Sequence, residues 1–445
     1  MSRPSGFLHW IFPAMLGLVA LTVLLSSRDL SLTYSGLAMR SEEVQHPVIV
    51  WSQRLLSLFL LAVTVERVVS HFVSRRHLPS PMLVLVFVTF WLGTVGFPAV
   101  FGSHPRLAHE YLYSLAIGFA AALAGPQDFD KAVVTARNAL FAFLLAGVLL
   151  IPLNHAMVLD TSYTKGVLSA LPRFSGLAPH PITLAMFAQI GLLCLWCRPF
   201  RSGWLTALAW LLGGAALLLA QSKNAWAGFV LCALCMLAVR NGPGLWRRVG
   251  DPRQGALGEL VCIVVIVTVL ALTGWFLVGD VAAQTAGFLD TAEGAQLMTL
   301  TGRDRIWAIA MEEWRMSPVF GYGPELWDTD YRASIGMPNA TSGHNQFMDA
   351  LARSGSTGAA ALVLYAVVLL VLSVRYARTT GGLSLALFLA LALRSVSEVP
   401  LLLLGYGTEL FGHLLLIIAL ASSAAAGTQA APAARARPVY GGVAP

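Results

Sequence analysis

The sequence predicts an all-α polytopic integral membrane protein of about 12 transmembrane helices, interrupted by one long polar loop. Three observations carry this. The chain is 57% apolar and only 11% charged, with a mean hydropathy of +0.72. A soluble domain is about one quarter charged. Apolar runs near the ~20 residues that a spanning helix needs recur along the chain. And the segment from Asp280 to Ser356 gathers ten of the chain's 22 acids.

The first run, 7–26, follows Arg3 and has no clear small-x-small cleavage site after it. It reads as a retained helix rather than a signal peptide. Further spans are expected at 47–66, 81–101, 109–125, 134–157, 181–198, 203–220, 225–240 and 257–278. Pro126, Pro172, Pro179, Pro181 and Pro252 punctuate them. The last three spans are 357–375, 382–398 and 400–422. The organisation is therefore 1–278 with nine helices, 279–356 as the long loop, 357–422 with three helices, and an Ala/Pro/Gly-rich tail, 423–445, of disorder-like composition.

Orientation follows from the short loops. With the N-terminus in the cytoplasm, that side receives 16 of the 29 basic residues, among them Arg67, Arg75, Arg198, Arg240, Arg375 and Arg378. The long loop then lies on the periplasmic face and the tail in the cytoplasm. The formal charge of +7 gives no ground for a nucleic-acid partner, because such proteins collect Lys and Arg in their cytoplasmic loops. The surrounding partner is membrane lipid. Two CxxC spacings, Cys194/Cys197 and Cys232/Cys235, lie inside apolar runs. Cys packs there as a small hydrophobe in preference to binding zinc.

Several polar groups are then expected at the outer face. Arg173 and His180 lie in the loop before 181–198, and Lys223 lies in the Gln221-Ser-Lys223-Asn224 run. The long loop adds Arg303, Arg305, Tyr322, His344 and Asn345. A short amphipathic helix is expected from Thr301, with Thr301 as its cap and Asp304 as the capping-box acid. Its apolar stripe is Ile306, Trp307, Ala310, Met311 and Trp314, Ser317-Pro318 stops it, and Gly321-Tyr-Gly323 turns the chain. Arg303 falls in its first turn, where the dipole already favours an anion. A guanidinium there suits a phosphate oxygen pair, and pairing with the loop's own carboxylates is the alternative. A second amphipathic stretch follows His344-Asn345, with Asp349 and Arg353 as an i, i+4 pair on its polar side. His344 reads either as a cap or as a general base. Lys223 reads as snorkelling to the headgroups or as a point charge for a lipid phosphate.

Asp128/Asp130 and Asp328/Asp330 are Asp-x-Asp pairs that could grip magnesium; a solvated acidic turn is the bland reading of the second. Arg394/Glu398 in the eleventh span and Glu409/His413 in the twelfth stand at i, i+4. They read as self-paired anchors, or as functional charges in the bilayer.

Taken together, RFSGLAPHP at 173–181, AQSKNAWAG at 220–228, TGRDRIW at 301–307, FGYG at 320–323 and GHNQFMDALARSGSTG at 343–358 resemble the O-antigen ligase family. That family shares its core with O-antigen polymerases and bacterial O-oligosaccharyltransferases. The resemblance covers roughly 170–375. It implies a GT-C-like, metal-independent, inverting glycosyltransferase with no cofactor. Its donor is a glycan on undecaprenyl diphosphate and its acceptor, for a ligase, is the lipid A-core oligosaccharide. The resemblance makes His344 the catalytic histidine and Arg303 the long-loop arginine, with Lys223, Arg173 and Arg305 as candidate diphosphate cations. His180, Asn345 and Tyr322 are candidate supports. Lys223 departs from the family's commoner Arg after Gln-Ser, which keeps the charge and loses the fork. The short tail favours the ligase over the protein-glycosylating branch. The polymerase remains the close alternative, and a transporter using the buried ion pairs is the alternative of another class.

Overall fold

The computed structural model describes residues 6–26, 28–30, 47–75, 77–163, 168, 171–249, 303–338 and 340–435. The expected ninth span 257–278, the start of the long loop, Thr301 and the end of the tail lie outside the described residues.

The chain is built from helices. In order they are α1 (Phe7–Leu25), α2 (Pro47–Val73), α3 (Pro81–Trp91), a π turn (Leu92–Gly96), α4 (Phe97–Phe101), α5 (Glu110–Ala122), α6 (Asp128–Leu149) and α7 (His155–Val158). A two-residue antiparallel pair follows, β1 (Leu159–Asp160) with β2 (Arg173–Phe174). Then come α8 (Pro181–Cys197), α9 (Gly203–Leu219), α10 (Lys223–Val249), α11 (Arg303–Met316), α12 (Thr329–Ser334), α13 (Gln346–Arg375), α14 (Leu383–Ser395) and α15 (Leu410–Arg435). Seven helical stretches among the described residues are long and apolar enough to span a membrane, and α8, α9 and α14 are shorter apolar helices. This is a polytopic all-α membrane protein.

The helices alternate in direction, which gives the bundle two ends. Arg198, just after α8, binds Asp130 in the first turn of α6. Ser422 in α15 donates to the Gly125 carbonyl, and Arg67 in α2 pairs with Asp128. These contacts define one end. The other end carries the first residues of α8, α10, α13 and α15 and the last of α1, α9 and α14. The Asp128/Asp130 pair is thus divided between two different arginines. Cys194, Cys197 and Cys232 are buried among the apolar residues of the main core.

A second, smaller core forms within the long loop. Ile306 and Ala310 of α11 meet Leu326, Trp327, Ala340 and Ala352, with Trp307, Tyr322, Tyr331 and Met348 around them. The stripe read from the sequence faces inward because its apolar residues recur at helical spacing. Helix α11 ends at Met316, before Ser317-Pro318. The turn at Gly321 lies against the backbone of Arg353–Gly355, where an added Cβ at Gly321 would come within 2.5 Å of three backbone atoms. Gly355 itself has φ +62 and bends α13. Only glycine takes that conformation without strain. Tyr322 N–H and Gly323 N–H donate to the carbonyls of Ala352 and Arg353, each at 2.9 Å. The FGYG and RSG motifs are therefore the two halves of one backbone contact.

Two expectations change. The pair Asp349/Arg353 is not on a solvated face: both side chains are buried, and Asp349 also accepts from Trp327 Nε1 and Gly343 N–H, each at 2.8 Å. The eleventh and twelfth spans do not run to Glu398 and from Pro400. Helix α14 stops at Ser395, and a non-helical strap, 396–409, leads to α15. Pro400 lacks a donor and disfavours helix at the residue before it, and Gly405 has φ +155.

Candidate active site

The start of α13 sets the site. His344 has φ +46, a left-handed conformation uncommon for a residue with a side chain. It is held there from both sides. Trp307 Nε1 donates to the Gly343 carbonyl at 2.9 Å, and Gly343 N–H donates to Asp349 Oδ1. Asn345 follows as the helix cap, its Oδ1 accepting from Phe347 N–H and Met348 N–H at 3.0 Å each. Strain of this kind costs about 1–3 kcal/mol and persists where the surroundings over-determine it. The buried Asp349–Arg353 pair and two tryptophans do so here.

The strap meets this turn. Glu398 Oε2 stands 3.4 Å from His344 Nδ1, a buried nitrogen with no aligned hydrogen bond. Glu398 Oε1 stands 3.8 Å from Arg303 Nη2. Asn345 Nδ2 donates to the Val396 carbonyl, and Leu401 N–H donates to Gln346 Oε1 at 2.8 Å. Burial raises the carboxyl pKa of Glu398, but the His344 imidazole and the charges of Arg394 and Arg303 outweigh it and hold it below the ordinary value. The i, i+4 pairings expected from the sequence do not form. Glu398 faces His344 and Arg303. Arg394 takes Glu409 instead, at 2.9 and 3.1 Å, and His413 lies 2.6 Å from the Tyr365 hydroxyl. The backbone at Glu398 still turns as a helix, its N–H donating to the Arg394 carbonyl at 2.8 Å, so the exchange of partners comes from the segments packed against the strap.

A cleft opens beside Glu398, between α8, α10 and α14. Ser222, Asn224, Arg303, Arg394, Ser397 and Glu398 give it a polar side, and Ile182, Met186, Ala225, Ala390 and Leu393 an apolar one. Asn224 Nδ2 donates to Ser397 Oγ at 2.9 Å, tying α10 to the strap. His344 borders the cleft through Glu398.

The other residues singled out from the sequence divide. Lys223 is exposed at the first position of α10 and does not line the cleft. Arg305 is exposed and bonds the Ile335 carbonyl at 3.1 Å. Two residues from Arg303 on a helix, it cannot share its face. Arg173 is buried, donates to the Ala220 carbonyl at 2.9 Å and lies over the Tyr163 ring. His180 caps α8, with Nδ1 accepting from Ile182 N–H. The residue is exposed and does not line the cleft. Desolvation of the ring, then the charges of Arg173 and Arg394 against Glu398 and Asp160, hold it below the usual histidine range. Tyr322 stacks on His104 at 4.0 Å and belongs to the small core away from the cleft. Asp328 caps α12 by accepting from Tyr331 N–H at 2.8 Å.

Glu398 and Arg394 are the site residues that sequence reasoning did not place. Their signal was present, since charged groups at the end of an apolar run are costly and need a reason.

Residues 207–363 match the family model for O-antigen ligase. The matched stretch runs from α9 into α13 and contains Lys223, Arg303, Arg305, Tyr322, His344 and Asn345, whereas Arg394 and Glu398 lie beyond it. No curated protein matches the chain. Over residues 207–363 the chain is therefore similar to the O-antigen ligase family.

Proposed function

We propose that this protein transfers an O-antigen glycan from undecaprenyl diphosphate to a sugar hydroxyl of the lipid A-core, with inversion and without a metal. The observation that carries this reading is the convergence of His344, Arg303 and Glu398, from three separate segments, beside one cleft between apolar helices. The architecture of the reading is GT-C-like, in the bacterial inner membrane. The end opposite the cleft carries Arg67, Arg75, Arg198, Arg201 and Arg240, which the positive-inside rule would put in the cytoplasm and the cleft at the periplasm.

The chemistry needs a base for the acceptor and cations for the leaving group. With Nδ1 facing Glu398, the ring proton is assigned to Nδ1, leaving Nε2 to accept the proton of the acceptor hydroxyl. The hydroxyl oxygen then bonds the anomeric carbon. The bond from that carbon to the phosphate oxygen breaks, and its electron pair stays on the diphosphate, which gains one negative charge. Arg303 is placed to meet that charge, because its ion pair with Glu398 is long and readily exchanged for a phosphate. Lys223, Arg173 and Arg305 add positive potential from outside the cleft in this reading, with His180, Asn345 and Tyr322 supporting the surrounding backbone.

The lipopolysaccharide ladder of a deletion strain tests the proposal. Core without O-chains, with lipid-linked polymer accumulating, is the expected result. Core capped by single repeats would make the protein a polymerase, and an unchanged ladder would remove both.

A further inference from the structure

The cleft holds two guanidinium groups, and only one of them belongs to the matched family domain. Arg394, at the end of α14, lines the cleft together with Arg303 and Glu398. Lys223, the second cation that the motifs put forward, is exposed and lies outside the lining.

Arg394 is held in a defined pose. Its Nε donates to Glu409 Oε2 at 3.1 Å and its Nη2 to Glu409 Oε1 at 2.9 Å. Its Nη1 donates to the Ile182 carbonyl at 3.3 Å, at the start of α8. A guanidinium has five N–H donors. These three bonds leave one on each Nη without a partner among the described residues. The fork is thus preorganised, half-satisfied and next to open space.

The walls on either side of Arg394 are apolar: Ile182 and Met186 from α8, Ala390 and Leu393 from α14. A site with two cations at one edge and hydrocarbon walls behind them fits an anionic head on a hydrocarbon tail. A guanidinium fork also suits the paired oxygens of a phosphate better than an ammonium does.

We propose that Arg394 is the second diphosphate-binding cation of this protein, taking the part that the motif assigns to Lys223. Glu409 keeps the fork aimed into the cleft while no donor is bound. This rests on the reading of the cleft as the donor site. When the diphosphate enters, the two unused donors of Arg394 and the fork of Arg303 contact it together.

The test is binding of undecaprenyl diphosphate by the purified protein in nanodiscs, with undecaprenol as the phosphate-free control. Arg394→Gln should weaken undecaprenyl diphosphate binding at least tenfold and leave undecaprenol binding unchanged. Glu409→Gln should bind undecaprenyl diphosphate as well as the wild type or more tightly, because it releases the cation without removing it. Equal weakening in both variants would overturn the proposal and reduce the pair to a strut for the strap. Wild-type binding by Arg394→Gln would overturn it as well. If Arg394→Gln does not fold, Glu409→Gln decides alone, with a tenfold loss counting against the proposal. Arg303→Ala separates the two levels. If it loses binding while Arg394→Gln does not, the donor-site reading stands and the second cation falls. If Arg303→Ala also binds normally, the donor-site reading itself fails.

Discussion

Glu398 Oε2 lies 3.4 Å from Nδ1 of His344, although one residue sits on a strap after α14 and the other in a strained turn before α13. A carboxylate behind an imidazole fixes the orientation and tautomer of the ring. General-base help is typically worth about a hundred- to ten-thousand-fold. His344→Ala should lose transfer on that scale while still binding the donor. Glu398→Gln keeps the shape and removes the charge, so its loss should be real but smaller. His344→Gln at a near-normal rate would make the residue a positioning group instead.

Arg303 should be the most sensitive cation. Removing one preorganised donor of this kind costs about a hundred- to a thousandfold in rate. Arg303→Ala should fall by that order, and Arg303→Lys should recover only part because the fork is lost. Lys223→Ala should cost much less than Arg303→Ala, since Lys223 stands exposed outside the cleft. Transfer assays on purified variants, normalised to folded protein, decide the order.

Asp349 should matter for folding before catalysis. It is buried and accepts from Arg353, Trp327 and Gly343 together. Asp349→Ala strands a buried guanidinium, a loss of about 3–5 kcal/mol. The thermal midpoint of the detergent-solubilised protein should drop sharply, and Asp349→Asn should drop less. An unchanged midpoint would refute this account of the turn.

The stability of the protein should weaken on acidification through His180. Its folded pKa is depressed, so between that value and the ordinary 6.5 the unfolded chain binds a proton that the folded chain does not. Stability therefore rises with pH across that window and falls as pH drops below about 6.5. His180→Asn keeps a capping acceptor without the titration. Its midpoint should depend less on pH between neutrality and mild acid than that of the wild type.

Orientation can be read by labelling. In a Cys-free background, a cysteine at the exposed position 330 should react with impermeant reagents added outside spheroplasts. A cysteine at the exposed position 201, at the other end, should not. The reverse pattern would invert the topology and displace the proposed site.

The sequence by itself determined the class of the fold, most helix positions and the elements of the long loop. Apolar run length and helical periodicity are local properties, and they survive into the structure wherever burial on one face is the main force, as for Ile306 and Ala310. The motifs put His344 and Arg303 forward, and the structure brings both beside Glu398. The pairing of the charges was decided by the tertiary structure alone. Arg394 with Glu398, and Glu409 with His413, stand at helical spacings, but other segments supply their partners. Glu398 then turns to His344 and Arg303, and Arg394 to Glu409. The physical reason is that an ion pair depends on distance in space, and which segments meet there is not readable from spacing along one of them.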